Sequence, residues 1–118
     1  MAMISEEHDP SCSADLSAAV ALFRSLGDVT RLVIVHELAR GERRIVDLTR
    51  AVGLAQSTVS AHVACLRDCG LVECRPVGRA SVYSLAQPAL AGVLSAAEAV
   101  LAATGNAVAL CPAYGLGD

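Results

Sequence analysis

The stretch "CLRDCG", residues 65–70, sets Cys65 and Cys69 four positions apart. On a helix, residues so spaced differ by about 40° in direction and about 6 Å in height, so two thiols can chelate one soft cation. The competing reading of any single cysteine is a small, half-buried hydrophobe. The chain holds five cysteines, Cys12, Cys65, Cys69, Cys74 and Cys111. An odd number in a chain that reads as cytosolic points to reduced thiols for metal or redox chemistry rather than a disulfide framework.

The elements that must position this pair follow from periodicity. "ADLSAAVALFRSLG", from Ala14, spaces Leu16, Val20 and Phe23 as a helix and stops at Gly27. "DVTRLVIVHELARGE" opens on Asp28 as N-cap, carries Leu32, Val35 and Leu38 on one face, and ends at Gly41. A short helix from Arg44 to Gly53 and a longer one running to Gly70 form a helix-turn-helix. In the longer helix Val59, Val63 and Leu66 make the buried stripe, which leaves Gln56, Ser57, Ser60 and Ala61 near the end that meets base edges in such motifs. "LVECRPVGRASVYSLA" alternates around a turn placed at Pro76 to Gly78, and reads as a β-hairpin. "PALAGVLSAAEAVLAAT" is an apolar last helix, with Pro88 suited to its first turn.

The expected fold is therefore mainly α with a small β-hairpin, a dimeric winged helix-turn-helix. Residues 1–13 are expected as a flexible tail, 14–104 as the DNA-binding and dimerisation domain, and 105–118 as a C-terminal tail. The 118 residues bear a net charge of −3, yet all nine arginines fall within 24–79 against six acids there, a positive middle between acidic or neutral arms. Arg75 and Arg79 on the hairpin are candidate phosphate contacts, with Arg67 and Arg50 beside the recognition helix. No membrane-length apolar run appears, and "MAMISEEHDPSC" is acidic where a signal peptide is basic, so a cytoplasmic location is expected. No nucleophile–base constellation or phosphate-cradling loop is present, which argues against an enzyme.

"LGDVTRLVIVHELARGE", "DLTRAVGLAQSTVSAHVACLRDCGLVE" and "GRASVYSL" in that order resemble the ArsR/SmtB family of metal-responsive winged-helix repressors over residues 14–104. Val29 stands where the family usually has proline. The arsenic-type "CVC" is here "RIV" at Arg44 to Val46, and the last helix offers only Glu98 of the zinc and nickel set. What remains is similar to the cadmium- and lead-sensing members, in which two cysteines of a "CLRxCG" segment are joined by a third thiolate from the partner subunit's tail. The resemblance thus implies Cys65, Cys69 and Cys111 as metal ligands, with Cys12 as an accessory candidate.

Three thiolates suit Cd(II), Pb(II), Hg(II) or As(III) better than Mg, Mn or Ni. Zn(II) usually takes four ligands; His62, one turn before Cys65, is the fourth on offer, but a packing or DNA-side role suits it better. Cys74 follows Val72 on the inward face of the first hairpin strand and reads as core. His36 reads as a satisfied structural histidine.

The expected function is a repressor that binds double-stranded operator DNA as a homodimer and is released by a soft metal, foremost Cd(II) or Pb(II). Hg(II) or As(III) response on the same site, or thiol redox sensing, are the alternatives. DNA contacts are expected from Gln56, Ser57, Thr58, Ser60, His62, Arg67, Arg75 and Arg79.

Overall fold

The computed structural model describes residues 10–106, with side chains from Leu16 onward. Five helices and three short strands run in the order α1 (Pro10–Leu26), α2 (Val29–Ala39), β1 (Arg43–Arg44), α3 (Ile45–Val52), α4 (Gln56–Asp68), β2 (Val72–Val77), β3 (Ala80–Leu85) and α5 (Ala89–Ala103). Helix α1 begins at Pro10, earlier than the Ala14 that hydrophobic spacing marks. Proline fits a first turn because its missing N–H is one of the unsatisfied donors there anyway.

Helix α2 starts where Asp28, extended at φ −109° and ψ 133°, accepts a hydrogen bond from the Arg31 amide at 3.0 Å. Val33, Ile34, Val35 and Leu38 make α2 the central strut of the core, packed on α3, α4 and α5. Helix α3 closes on Gly53 in the left-handed conformation, φ 81°, with its N–H donating to the Thr49 carbonyl at 2.9 Å. The chain then re-enters helix at Gln56, which sets α3 and α4 as the helix-turn-helix pair.

Helix α4 buries Val59, Val63 and Leu66, the stripe its spacing predicts. Its exit is a Schellman turn: Gly70 adopts φ 78°, its amide donates to the Arg67 carbonyl at 2.9 Å, and the Leu71 amide reaches back to Leu66 at 3.0 Å. Leu66 and Leu71 both belong to the core, so the turn is closed by an apolar contact as well as by backbone bonds.

Strands β2 and β3 pair antiparallel from Val72↔Leu85 to Val77↔Ala80. That register leaves only Gly78 and Arg79 in the turn, and Pro76 stands within β2 opposite Ser81. The turn therefore starts two residues later and ends one residue later than the Pro76–Gly78 placement. Gly78 has φ 64° while no non-glycine residue among those described has positive φ, the pattern of a type II′ hairpin. Pro76 is tolerated because β2 is an edge strand of the β1-β3-β2 sheet. Strand β1 pairs Arg43 with Tyr83 and Arg44 with Val82. Two residues are too few for an alternation signal, and nothing in their types marks a strand.

Outside the core, Leu16, Val20 and Phe23 of α1 and Val100 of α5 are exposed, Phe23 at 63%. Phe23 and the α5 residues Val93, Ala96, Ala97, Val100 and Leu101 line an open apolar groove of about 530 Å³. No described helix is long and apolar enough to cross a membrane.

Candidate functional site

Helix α4 has two ends with different chemistry. At its N-terminal end Gln56, Ser57, Thr58 and Ser60 are all exposed, because the buried stripe takes positions 59, 63 and 66 and turns the others outward. At its C-terminal end lie the two cysteines. Cys65 is half-buried within the helix, and Cys69 is its exposed C-cap, still helical at φ −82° and ψ −2°. The Cys69 amide donates to the Cys65 carbonyl at 3.1 Å, so the four-residue spacing is preserved across the helix end.

The thiols point away from the exposed N-terminal surface and toward the corner between α1 and α2. Cys69 Sγ lies 3.2 Å from Ser25 Oγ, and Arg31 Nη1 donates to Cys65 Sγ at 3.6 Å. Arg31 is itself fixed by its Nε, which donates to the Ser25 carbonyl at 2.9 Å. Ser25 is buried at the end of α1 and Arg31 stands in the first turn of α2, so one corner of the fold addresses both sulfurs. Neither Ser25 nor Arg31 is singled out by sequence reasoning. They lie 44 and 34 residues from the cysteines they touch, and no local pattern links positions so far apart.

His62 faces the same corner. Its Nδ1 lies 3.8 Å from Asp28 Oδ2, with the imidazole only 25% exposed. One residue before buried Val63, it sits at the edge of the packed face and is drawn to the α2 cap. Among the described residues no group of three His, Cys, Asp or Glu side chains is close enough to hold a metal. Cys65 and Cys69 therefore form an incomplete pair there. Cys111 lies outside the described residues, while the Cys12 backbone falls in the first turn of α1.

The other singled-out residues separate clearly. Cys74 stands opposite Tyr83 in the hairpin and is half-buried, outside the buried core in which its strand position predicts it, because β2 is an edge strand. Burial pushes the Tyr83 hydroxyl above its ordinary pKa, and the neighbouring Cys74 adds to the shift. His36 departs from the satisfied state expected of it: among the described residues its buried Nε2 has no hydrogen-bond partner. Burial lowers its pKa, against the opposing pull of Glu98 and Glu37.

Of the arginines, Arg67 and Arg79 are exposed on the helix end and the hairpin turn. Arg75 is not free: Glu42 accepts from its Nη2 at 2.6 Å and its Nε at 3.2 Å, which raises the guanidinium pKa further. Arg50 is 3.7 Å from Asp47 but remains 75% exposed. Glu42 thus neutralises part of the charge that Arg75 would offer a phosphate, although the Arg75 side chain is 57% exposed, whereas Arg67 and Arg79 are exposed without a carboxylate partner among the described residues.

The model of bacterial regulatory proteins of the arsR family matches residues 28–73, from the α2 cap through α3 and α4 into β2. A probable mercury resistance operon repressor from Streptomyces lividans is 36% identical over 75% of this chain and 71% of its own. The chain belongs to the ArsR family. A second relative, the HTH-type transcriptional regulator CmtR of Mycobacterium tuberculosis, is 40% identical over 71% of each chain. The homodimeric winged helix-turn-helix DNA-binding domain of Mb0332 from Mycobacterium bovis superposes with a TM-score of 0.72 at 29% identity, over 79% of this chain and 86% of that one. As a member of the ArsR family this chain is a winged-helix transcriptional regulator and not an enzyme.

Proposed function

We propose that this ArsR-family chain is a repressor that binds operator DNA as a homodimer and is released when a soft metal ion is captured by Cys65, Cys69 and Cys111. The observation that carries the reading is the pair of thiols on one flank of α4, both in contact with the α1–α2 corner. The donor set fits such an ion: two soft sulfurs, with no His, Asp or Glu completing a hard or mixed site among the described residues. Cd(II) and Pb(II) are the foremost ions, from the resemblance of "CLRDCG" and the later "LCP" to the cadmium- and lead-sensing pattern. Hg(II) is the next, supported by the mercury-operon relative.

The exposed apolar faces of α1 and α5 supply a dimer surface, since Leu16, Val20, Phe23 and Val100 otherwise stay in water. DNA is met by Gln56, Ser57, Thr58 and Ser60 at one end of α4, with Arg67 and Arg79 on phosphates. Metal is held at the other end. A helix is stiff over its thirteen residues, so tying its C-terminal thiols to a tail cysteine biases the orientation of its reading end. Differential binding of a few kcal/mol is enough to move such an equilibrium.

The test is a titration of reduced protein on its own promoter with Cd(II), Pb(II), Hg(II) and As(III), following sulfur-to-metal absorption and DNA release together. Release by Cd(II) or Pb(II) with a growing thiolate band is the expected result. Release by the thiol oxidant diamide alone, with no metal effect, overturns the metal reading in favour of redox sensing. An intrahelical Cys65–Cys69 bridge is disfavoured by helix geometry in any case.

A further inference from the structure

We propose that Arg31 sets the charge selectivity of the thiolate site, favouring divalent over trivalent soft ions. The inference rests on the three-thiolate reading above. Its basis is one contact: a guanidinium Nη1 3.6 Å from Cys65 Sγ, on a side chain pinned by a 2.9 Å bond from its Nε to the Ser25 carbonyl.

The two classes of ion leave different charges behind. Three thiols that take up Cd(II) release three protons and leave a complex of net charge −1. Three thiols that take up arsenous acid, As(OH)₃, form three As–S bonds, their protons leave with the hydroxides as three waters, and the product is neutral. No oxidation state changes in either case. Arginine remains cationic throughout the accessible pH range, and here it is held in place before any ion arrives. Its attraction therefore stabilises the anionic Cd(II) or Pb(II) complex and gives nothing comparable to the neutral As(III) complex.

Among the described residues no carboxylate forms an ion pair with the Arg31 guanidinium. The Asp28 carboxylate accepts from the Arg31 backbone amide and faces His62, while the guanidinium is turned to Ser25 and Cys65. Ser25 adds a second link, its hydroxyl within 3.2 Å of Cys69 Sγ, so the corner that fixes Arg31 also meets the second thiol.

The experiment measures Cd(II) and As(III) affinities of the full reduced chain by competition, for the wild type, Arg31→Met and Arg31→Lys. Arg31→Met should lower the ratio of Cd(II) to As(III) affinity by about fivefold to tenfold, the size expected of a half-exposed charge pair, with As(III) affinity within about twofold of wild type. Arg31→Lys, which keeps the charge, should retain most of the ratio. An unchanged ratio in Arg31→Met, or equal losses for both ions, overturns the inference. Should the Met variant fail to fold by circular dichroism, the wild type decides. Its Cd(II)/As(III) ratio should fall several-fold between about 0.05 and 0.5 M sodium perchlorate as the pair is screened, and a constant ratio overturns the inference. A wild-type chain with no thiolate-to-Cd(II) band overturns the proposed metal site and this inference with it. A band in the wild type with an Arg31-independent ratio overturns only the role of Arg31.

Discussion

At the scale of single residues, the cysteines divide by what surrounds their sulfurs. Cys65 and Cys69 meet polar partners, Arg31 and Ser25, at the end of a helix, whereas Cys74 faces Tyr83 across the hairpin. Cys65→Ser, Cys69→Ser and Cys111→Ser should each leave a folded, operator-binding protein that no longer releases DNA with Cd(II). A hydroxyl is harder than a thiolate and stays protonated, so each change removes one metal–sulfur bond. Wild-type release and absorption by Cys111→Ser would remove that residue from the site and make Cys12 the next to test. Cys74→Ser should keep metal response and cost about 1 kcal/mol of stability in urea, since a half-buried hydroxyl is worse placed than a thiol. His36 supplies a pH dependence. Its pKa in the fold lies below the ordinary 6.5, so at mildly acid pH the unfolded chain binds more protons. The stability this residue contributes is complete above pH 6.5 and is lost as pH falls through the folded-state value. His36→Gln should therefore lose less of its urea midpoint than the wild type between pH 7.5 and 5.5; equal losses would show that His36 is not the titrating group.

At the scale of elements, the hairpin and α4 share the work of meeting DNA, and the ion pairs decide which cations are available. Arg79 occupies the second position of the Gly78–Arg79 turn and is exposed, so Arg79→Ala should weaken operator binding and lower its salt slope by about one unit. Filter binding across a salt series reads both, and an unchanged slope would place Arg79 away from phosphate. Arg75 on the adjacent strand is clamped by Glu42 in the loop before β1. Glu42→Gln should release it, raising operator affinity about twofold to fivefold at low salt through a freed cation and one fewer repelling carboxylate. No gain in the same assay would mean that Arg75 never approaches DNA and that its bond to Glu42 serves only to hold the wing against the β1 turn.

For the whole molecule, the open question of burial is the outer face of α1 and α5. The core around α2 uses Ile34, Val35, Leu48, Val59 and Leu66, all fully enclosed, and it does not reach Leu16, Val20 or Phe23. A second copy covers this face in the proposed homodimer. Sedimentation at micromolar concentration should find a dimer for the wild type, and Phe23→Asp should shift it to monomer, because a carboxylate would be buried among Val93, Ala97 and Val100 without a partner. A monomeric wild type would refute the interface. Operator affinity should fall in step with dimerisation, since each half-site then binds alone.

The sequence by itself determined the features that arise within a few residues. Asp28 capping α2, Gly53 and Gly70 ending α3 and α4, the Val59/Val63/Leu66 stripe and the four-residue spacing of the cysteines are all local, set by cap chemistry, left-handed glycine backbone and helical period. The helix-turn-helix and wing follow from their order. Tertiary packing decided the rest. It turned the thiols to a corner supplied by Ser25 and Arg31, drew His62 to Asp28, joined Arg75 to Glu42 across 33 residues, and added β1 to the hairpin. It also moved the turn to Gly78–Arg79, because cross-strand register, rather than the Pro-Val-Gly run, selects which residues lie between the strands. Such pairings depend on which helix faces meet once the core closes, and a polar side chain carries no local mark of a partner dozens of residues away.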